Sequence, residues 1–497
     1  LILKIKEIDN DLLSVRSEQT FGFQEEMRLI QSAYSKIYFY VINKYKNKNF
    51  DDLLDPIDIF NYESNLFTNS KIINLTVNAS QKNLKNLQTL LQENTNKINM
   101  IRESNFEEDT YNDLAKIYNE NAEIVRTILS TNENLNSILV SNLPNISEIQ
   151  SRLRKDEFAI FFIDNIIYEN GSAILISKNE IVNYSTDSYR NISFLIKNLQ
   201  SSLNNIDSYD FQSAKKLYDI FFKPIEYLVP KDSTIYFLGD HLKGINPSIL
   251  VKNFNASSNI SEYERLVSAN WLIEEYNVVK HFQIPSSSMQ KINYDKKFLG
   301  YGNSTTYKQL GLVDLNEVNG EIKELALISN GSRDDILIDK NATKDKLLEK
   351  LNVSYERIAI STHAVESFWR GLTKEPALIF NNNDDDFFLT PSEIVDLKID
   401  TDMVILSSCS SSTEGFDDLF KSFLVAGANS VVYTNWELES KYAKEFTTTF
   451  MKELWFSSDE KHEALRSTSL GFINNYDKPQ YSHPAFWGNF SIAYRNL

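Results

Sequence analysis

The spacing of apolar residues divides the chain into two textures. From about Thr20 to Leu139 they recur three, four and seven apart. Leu84, Leu87, Leu91 and Ile98 form one such series. Leu114, Ile117, Ile124 and Ile128 form another, with Tyr118 and Val125 beside them. Polar residues fill the remaining positions and glycine is almost absent, which predicts amphipathic helices packed side by side. Residues 1–142 therefore read as a helical bundle or the end of a helical-repeat region. Near Leu143-Pro144 the pattern changes. Short apolar runs follow, among them FAIFFI, SAILIS, TIYFLG, RIAIST, MVILSS and SVVYTNW. Helix-like stretches separate several of them: FQSAKKLYDIFFKPIEYL, EIKELALI and GFDDLFKSFLVAGA. Continuous apolar strands alternating with helices predict an α/β fold, with a mostly parallel sheet flanked by helices. NFNASSNIS (Asn253–Ser261) and NNNDDDFF (Asn381–Phe388) read as loops on that scaffold.

Composition narrows the function classes. At 497 residues and 42% hydrophobic, the chain has material for two or three cored domains. A formal charge of −17 opposes direct nucleic-acid binding by phosphate neutralisation and favours basic partners. A single cysteine excludes an intrachain disulfide framework and any multi-cysteine zinc site, and the five histidines show no ligand spacing. Neither a metal nor another cofactor is expected. No apolar stretch reaches spanning length and LILKIKEIDNDLL is no signal peptide, so no membrane role and a cytoplasmic location are expected. The chain opens on Leu1 rather than Met, as the carboxy-terminal part of a longer protein would.

Two of the apolar runs end in reactive side chains. IAISTHA delivers His363, and MVILSSCSSS delivers Cys409. In open α/β sheets reactive sites lie beyond the carboxyl ends of the strands. Positions 363 and 409 leave room for one helix and a loop between neighbouring strands, and a histidine ahead of a cysteine is the caspase order. A thiol needs a cationic or dipolar neighbour to ionise near neutrality, and His363 would supply one. Backbone N–H groups at Ala364 and Cys409 would form an oxyanion hole. Spacing alone leaves the plainer alternative open: a small buried cysteine and a turn histidine without chemistry.

Longer stretches carry a resemblance. ISEIQSRLRKDEFAIFFI, then LYDIFFKPIEYL followed by STIYFLGDHLKGINPSIL, and then NATKDKLLEKL ahead of the histidine strand occur in order. LTPSEIVDLKIDTDMVILSSC, LFKSFLVAGANSVVYTNWEL and SHPAFWGNFSIAY follow. From about Ile146 to the end, the chain resembles a CHAT domain, the caspase-like, separase-related cysteine peptidase module often attached to tetratricopeptide repeats. The resemblance implies two caspase-like subdomains, an inactive one at 143–330 and a catalytic one at 331–497. It places the catalytic dyad on His363 and Cys409 and implies peptide-bond hydrolysis through an acyl-enzyme. It further implies a protein substrate, and a regulatory protein or complex docking on the helical region in a bacterial defence or cell-death setting.

Departures from the family pattern shape what is expected of the site. Ala364 stands where the family has glycine, a cost if φ must be positive there. Ser411 stands where a threonine is frequent. In separase-like members an acidic residue just past a strand-end tryptophan reads a basic P1 side chain. Here Glu437 and Glu439 follow Trp436, and Glu414, Asp417 and Asp418 follow Cys409. Glu437, Glu439 and Glu414 are the S1 candidates, by charge-assisted hydrogen bonding, against the alternative of solvated loop acids. Trp271 and Trp487 read as core or interface aromatics, and His483 as a turn residue before Pro484. The competing function is a catalytically silent CHAT-like scaffold that binds partner proteins.

Overall fold

The computed structural model describes residues 146–163, 171–238, 242, 244–280, 293–304, 312–366, 369–373, 376–380, 387–409, 417–456, 460–475 and 477–495. The expected helical region, His241, Glu414 and Ser411 lie outside the described residues, as do the side chains of Cys409, Asp417 and Asp418. The unit Ile146–Pro391 with Lys398–Leu497 holds both large sheets.

The first sheet comprises β1 (Glu157–Ile163), β2 (Ser172–Ser177), β3 (Ile181–Ser185), β4 (Thr234–Leu238) and β7 (Asn277–Lys280), in the order β3-β2-β1-β4-β7. β5 (Val251–Asn253) and β6 (Asn270–Trp271) form a separate small pair. The second sheet comprises β8 (Lys296–Gly302), β9 (Ile336–Ile338), β10 (Tyr355–Val365), β11 (Ala377–Ile379), β12 (Phe388–Leu389), β13 (Thr401–Cys409), β14 (Ser430–Thr434) and β15 (Phe490–Tyr494). Both sheets join a parallel run of strands to antiparallel pairings at some of their margins, while β7 and β9 are edge strands paired in parallel. β1, β3, β4 and β7 run in one direction while β2 reverses. β9, β8, β10, β12, β13 and β14 run in one direction while β11 and β15 reverse. The expected mixed α/β architecture is therefore present, with antiparallel edges that the apolar pattern did not announce.

Helices α1 (Ile146–Arg152), α2 (Tyr189–Leu203), α3 (Phe211–Phe221), α4 (Glu262–Ser268) and α5 (Leu272–Glu275) accompany the first sheet in sequence. α6 (Val318–Ile328), α7 (Lys344–Lys350), α8 (Pro391–Val395), α9 (Asp417–Ala426), α10 (Ser440–Phe456), α11 (Lys461–Ile473) and α12 (Pro484–Trp487) follow. The loop NFNASSNIS ends in a reciprocal cap. Ser261 accepts the Glu264 N–H, and the Glu264 carboxylate accepts the Ser261 N–H. α3 stops short of the expected run because Pro224 disfavours helical geometry in the residue before it, leaving only a 3₁₀ turn at Glu226–Leu228.

α6 and α10 set the position of the site. Gly300 in β8 lets α6 lie close to the sheet, since a Cβ there would stand 2.6 Å from Ile322 Cγ2. Three rungs then tie α6 to α10 in parallel: Lys444 to Glu317 at 2.8 Å, Thr447 to Glu321 at 2.8 Å and Lys452 to Glu324 at 2.8 Å. Just past the end of α9, Gly427 has φ +129, and any Cβ there would collide with the Ile399 carbonyl. Trp271 and Trp487 are fully buried against each other, ring centroids 5.2 Å apart. Among the described residues no helix is long and apolar enough to cross a membrane.

Candidate active site

β10 and β13 are adjacent parallel strands in continuous register from Tyr355↔Thr401 to His363↔Cys409. The two residues are Cα partners at the last rung, on strands about 4.8 Å apart as sheet neighbours are. β10 is buried along most of its length and becomes half-buried at His363 and Ala364, where it rises out of the core. Past this rung the other edge of β10, which pairs with β8 lower down, pairs with β11 through Ala364↔Leu378 and Val365↔Ala377. Alternation along a strand puts Ser361 on the His363 face and Ser407 on the Cys409 face, one pleat below.

The His363 ring is held from the loop between β8 and α6. Its Nε2 lies 2.7 Å from the Val313 carbonyl oxygen. A carbonyl only accepts, so Nε2 carries the hydrogen and donates it. In the neutral ring Nδ1 is then the basic nitrogen. Burial pushes the ring's pKa below its ordinary 6.5, against the opposing Val313 bond and the charges of Glu437 and Asp314. The loop is itself anchored: the Leu315 N–H donates to the Ser304 carbonyl, and the Asn303 N–H to that of Ser361.

Ala364 has no left-handed backbone. Among the described non-glycine residues only Asp232, Asn330, Asp339 and Arg370 have positive φ. Alanine therefore sits in extended conformation with its N–H retained, at none of the feared cost. The candidate S1 acids divide. Glu437 is exposed at the rim and close enough to bear electrostatically on His363. Glu439 is exposed too, and its carbonyl accepts the Tyr442 and Ala443 N–H groups at the start of α10.

Two features escaped the sequence reading. One is the buried turn after β14. Asn489 Oδ1 accepts the N–H groups of Asn435 and Trp436, and its Nδ2 donates to the Trp436 carbonyl. Trp436 Nε1 donates to Ala485. This network ends β14 at Thr434, before the expected SVVYTNW run is complete, and aims the following loop at the site. The other is Glu321. It is 1% exposed, although it belongs to a helix whose other buried positions are apolar or small. Ser361 Oγ and Thr447 Oγ1 each donate to its carboxyl at 2.8 Å. The only signal in the sequence was an acid on the apolar face of EIKELALI.

An α/β sheet that brings a histidine and a cysteine to the same rung at its carboxyl edge has the arrangement of a cysteine-peptidase fold. The CHAT domain family model matches residues 212–496, more than half of the chain, and the protein belongs to the CHAT domain family. No curated protein matches. Similar solved structures include the Arg-specific cysteine proteinase gingipain R (10% identity, 61% of this chain and 73% of that chain, TM-score 0.34). The Porphyromonas gingivalis complex of RgpB pro- and mature domains is also similar (10% identity, 62% of this chain and 75% of that chain, TM-score 0.31). So is the Saccharomyces cerevisiae separase–securin complex (10% identity, 95% of this chain, TM-score 0.43), where the match spans only 38% of that chain.

Proposed function

We propose that the protein is a cysteine endopeptidase with His363 and Cys409 as its dyad. The observation that carries this reading is the shared last rung of β10 and β13, together with the Val313 carbonyl on His363 Nε2. With Nε2 protonated, Nδ1 takes the thiol proton as sulfur bonds to the substrate carbonyl carbon. The oxyanion so formed accepts hydrogen bonds from the N–H groups of Ala364 and Cys409. As the carbon–nitrogen bond breaks, the imidazolium gives that proton to the departing amine and a thioester remains. Water then attacks the thioester, His363 takes its proton, and the acid and free thiol are released.

The scaffold reading draws its support from Ala364 in place of glycine; an extended backbone with its N–H retained there supports the peptidase reading. Protein substrates and a regulatory partner on residues 1–142 belong to the same proposal, by analogy with the family's architecture. The test is covalent labelling by peptide acyloxymethyl ketones, read by mass spectrometry at Cys409. Labelling should disappear in Cys409→Ala and slow by a hundredfold or more in His363→Ala. Equal labelling of wild type and His363→Ala would sink the dyad.

A further inference from the structure

Glu321 ties three elements together beneath the dyad rung. It lies on α6, 1% exposed. Its Oε2 accepts the Ser361 hydroxyl of β10 at 2.8 Å, and its Oε1 accepts the Thr447 hydroxyl of α10 at 2.8 Å. Burial pushes its carboxyl pKa up, and the hydroxyls of Ser361, Thr447 and Ser407 oppose that shift. Replacing a buried ionisable group by an apolar one often leaves stability unchanged or raised. Packing alone therefore gives little reason for an acid at this position.

Its placement supplies a reason. α6 and the loop before it reach β10 through two side-chain hydrogen bonds. One is the Val313 carbonyl on His363 Nε2 at 2.7 Å, the other the Glu321 carboxyl on Ser361. Ser361 precedes His363 by two residues on the same face of the strand, roughly 7 Å below it. The upper bond stands at the rim, where Val313 is exposed and water competes for its carbonyl. The lower bond lies in the core, where a hydrogen bond is strong and directional. Apolar contact has no direction and would let α6 slide along β10. A carboxyl bonded on both sides sets one register.

Resting on the dyad reading, we infer that Glu321 is a positioning residue for the dyad. Through Ser361 it fixes α6 and its leading loop against β10, so that the Val313 carbonyl takes His363 Nε2 and leaves Nδ1 for the thiol. Two substitutions separate this role from bulk and from charge. Glu321→Leu removes both bonds, yet neither hydroxyl is stranded, since Ser361 also has the Ser407 carbonyl at 3.3 Å and Thr447 the Lys444 carbonyl at 3.2 Å. Glu321→Gln keeps a bond to each neighbour. Its oxygen accepts from one hydroxyl, and its amide donates to the other, which turns to its backbone carbonyl.

Two readouts on the full chain test this: the maximal rate of Cys409 labelling by a peptide acyloxymethyl ketone, and the ¹⁵N spectrum of the His363 ring well above pH 6.5. Wild type should show a ring protonated at Nε2 alone. Glu321→Leu should label about ten- to a hundredfold more slowly at an unchanged half-saturating probe concentration, with ring signals averaged between the two tautomers. Glu321→Gln should recover to within about fivefold of wild type and restore the single tautomer. A Glu321→Leu chain that labels at the wild-type rate, or slows while its ring keeps the Nε2 proton alone, overturns the inference and leaves the dyad standing. A Glu321→Gln chain as slow as Glu321→Leu overturns it in favour of charge. A wild type that the probe never labels at Cys409, although iodoacetamide does, overturns the dyad and the inference with it. Should Glu321→Leu fail to fold, Ser361→Ala breaks the same bond from the strand side. It should slow labelling about tenfold, and a wild-type rate there overturns the inference.

Discussion

His462 offers a measurement of how the two sheets are joined. It sits in α11, 3% exposed, with Nε2 3.3 Å from Thr234 Oγ1 of β4 and Nδ1 3.1 Å from the Tyr494 hydroxyl of β15. A neutral ring satisfies both neighbours with one donor and one acceptor. A charged ring would be buried without a bonded carboxylate, and burial accordingly pushes its pKa from 6.5 to about 4. As pH falls through 6.5 the unfolded chain takes up a proton that the folded chain refuses until near 4. The unfolded state then binds more protons, and stability falls with pH across that window. The full difference is roughly 3 kcal/mol, of which about 2 kcal/mol is spent between pH 7.5 and pH 5. His462→Gln keeps a donor and an acceptor but cannot titrate. Urea unfolding followed by tryptophan fluorescence should therefore show the variant's deficit, if any, shrinking by about 2 kcal/mol between about pH 7.5 and pH 5. A wild-type-minus-variant difference that is the same at both pH values would refute the buried neutral imidazole.

Other expectations follow from the same contacts. Gly300→Ala should cost about 1–3 kcal/mol in unfolding free energy, because its Cβ meets Ile322 Cγ2 at 2.6 Å and the Phe298 ring at 2.7 Å. Asn489→Ala strips acceptors and a donor from the buried Asn435–Trp436 turn and should lower stability by about 2–4 kcal/mol in the same assay, with slowed Cys409 labelling. The acid limb of the labelling rate should lie below pH 6.5, since burial depresses His363. Glu437→Gln removes a charge that opposes this depression, and should move that limb lower still.

How much of this was legible depended on what each residue had to satisfy. β1, β2, β4, β10, β13 and β14 declared themselves because each must be apolar along much of its length. β8 did not: KKFLGYG opens with two lysines and carries two glycines, and its small residues exist for the sake of α6, which the local pattern does not reveal. β15 was visible only as part of the closing SHPAFWGNFSIAY stretch, because one strand turn after a helix gives little periodicity. The antiparallel margins were illegible for a related reason, since strand direction is fixed by connections and not by composition. His363 and Cys409 were conspicuous as the lone reactive residues at strand ends. Val313 was invisible because it contributes a carbonyl, which every residue has. Glu321 was in plain view within EIKELALI but passed unnoticed, since periodicity alone does not say which face of a helix is covered.

The parts of the site come from different kinds of constraint, and this makes their roles separable. The strand pair fixes where the dyad backbones meet. It cannot fix the imidazole, whose ring is free to turn about its own bonds until the Val313 carbonyl takes Nε2. That carbonyl belongs to a loop anchored at Ser304 and leading into α6, the same helix that Gly300 admits to the sheet and that brings Glu321 under the rung. Ring tautomer and the seat of the Glu321 carboxyl thus depend on one element, α6, and its seating on β8. A substitution that lifts α6, such as Gly300→Ala, should disturb both together: Cys409 labelling slows and unfolding free energy falls in the same variant.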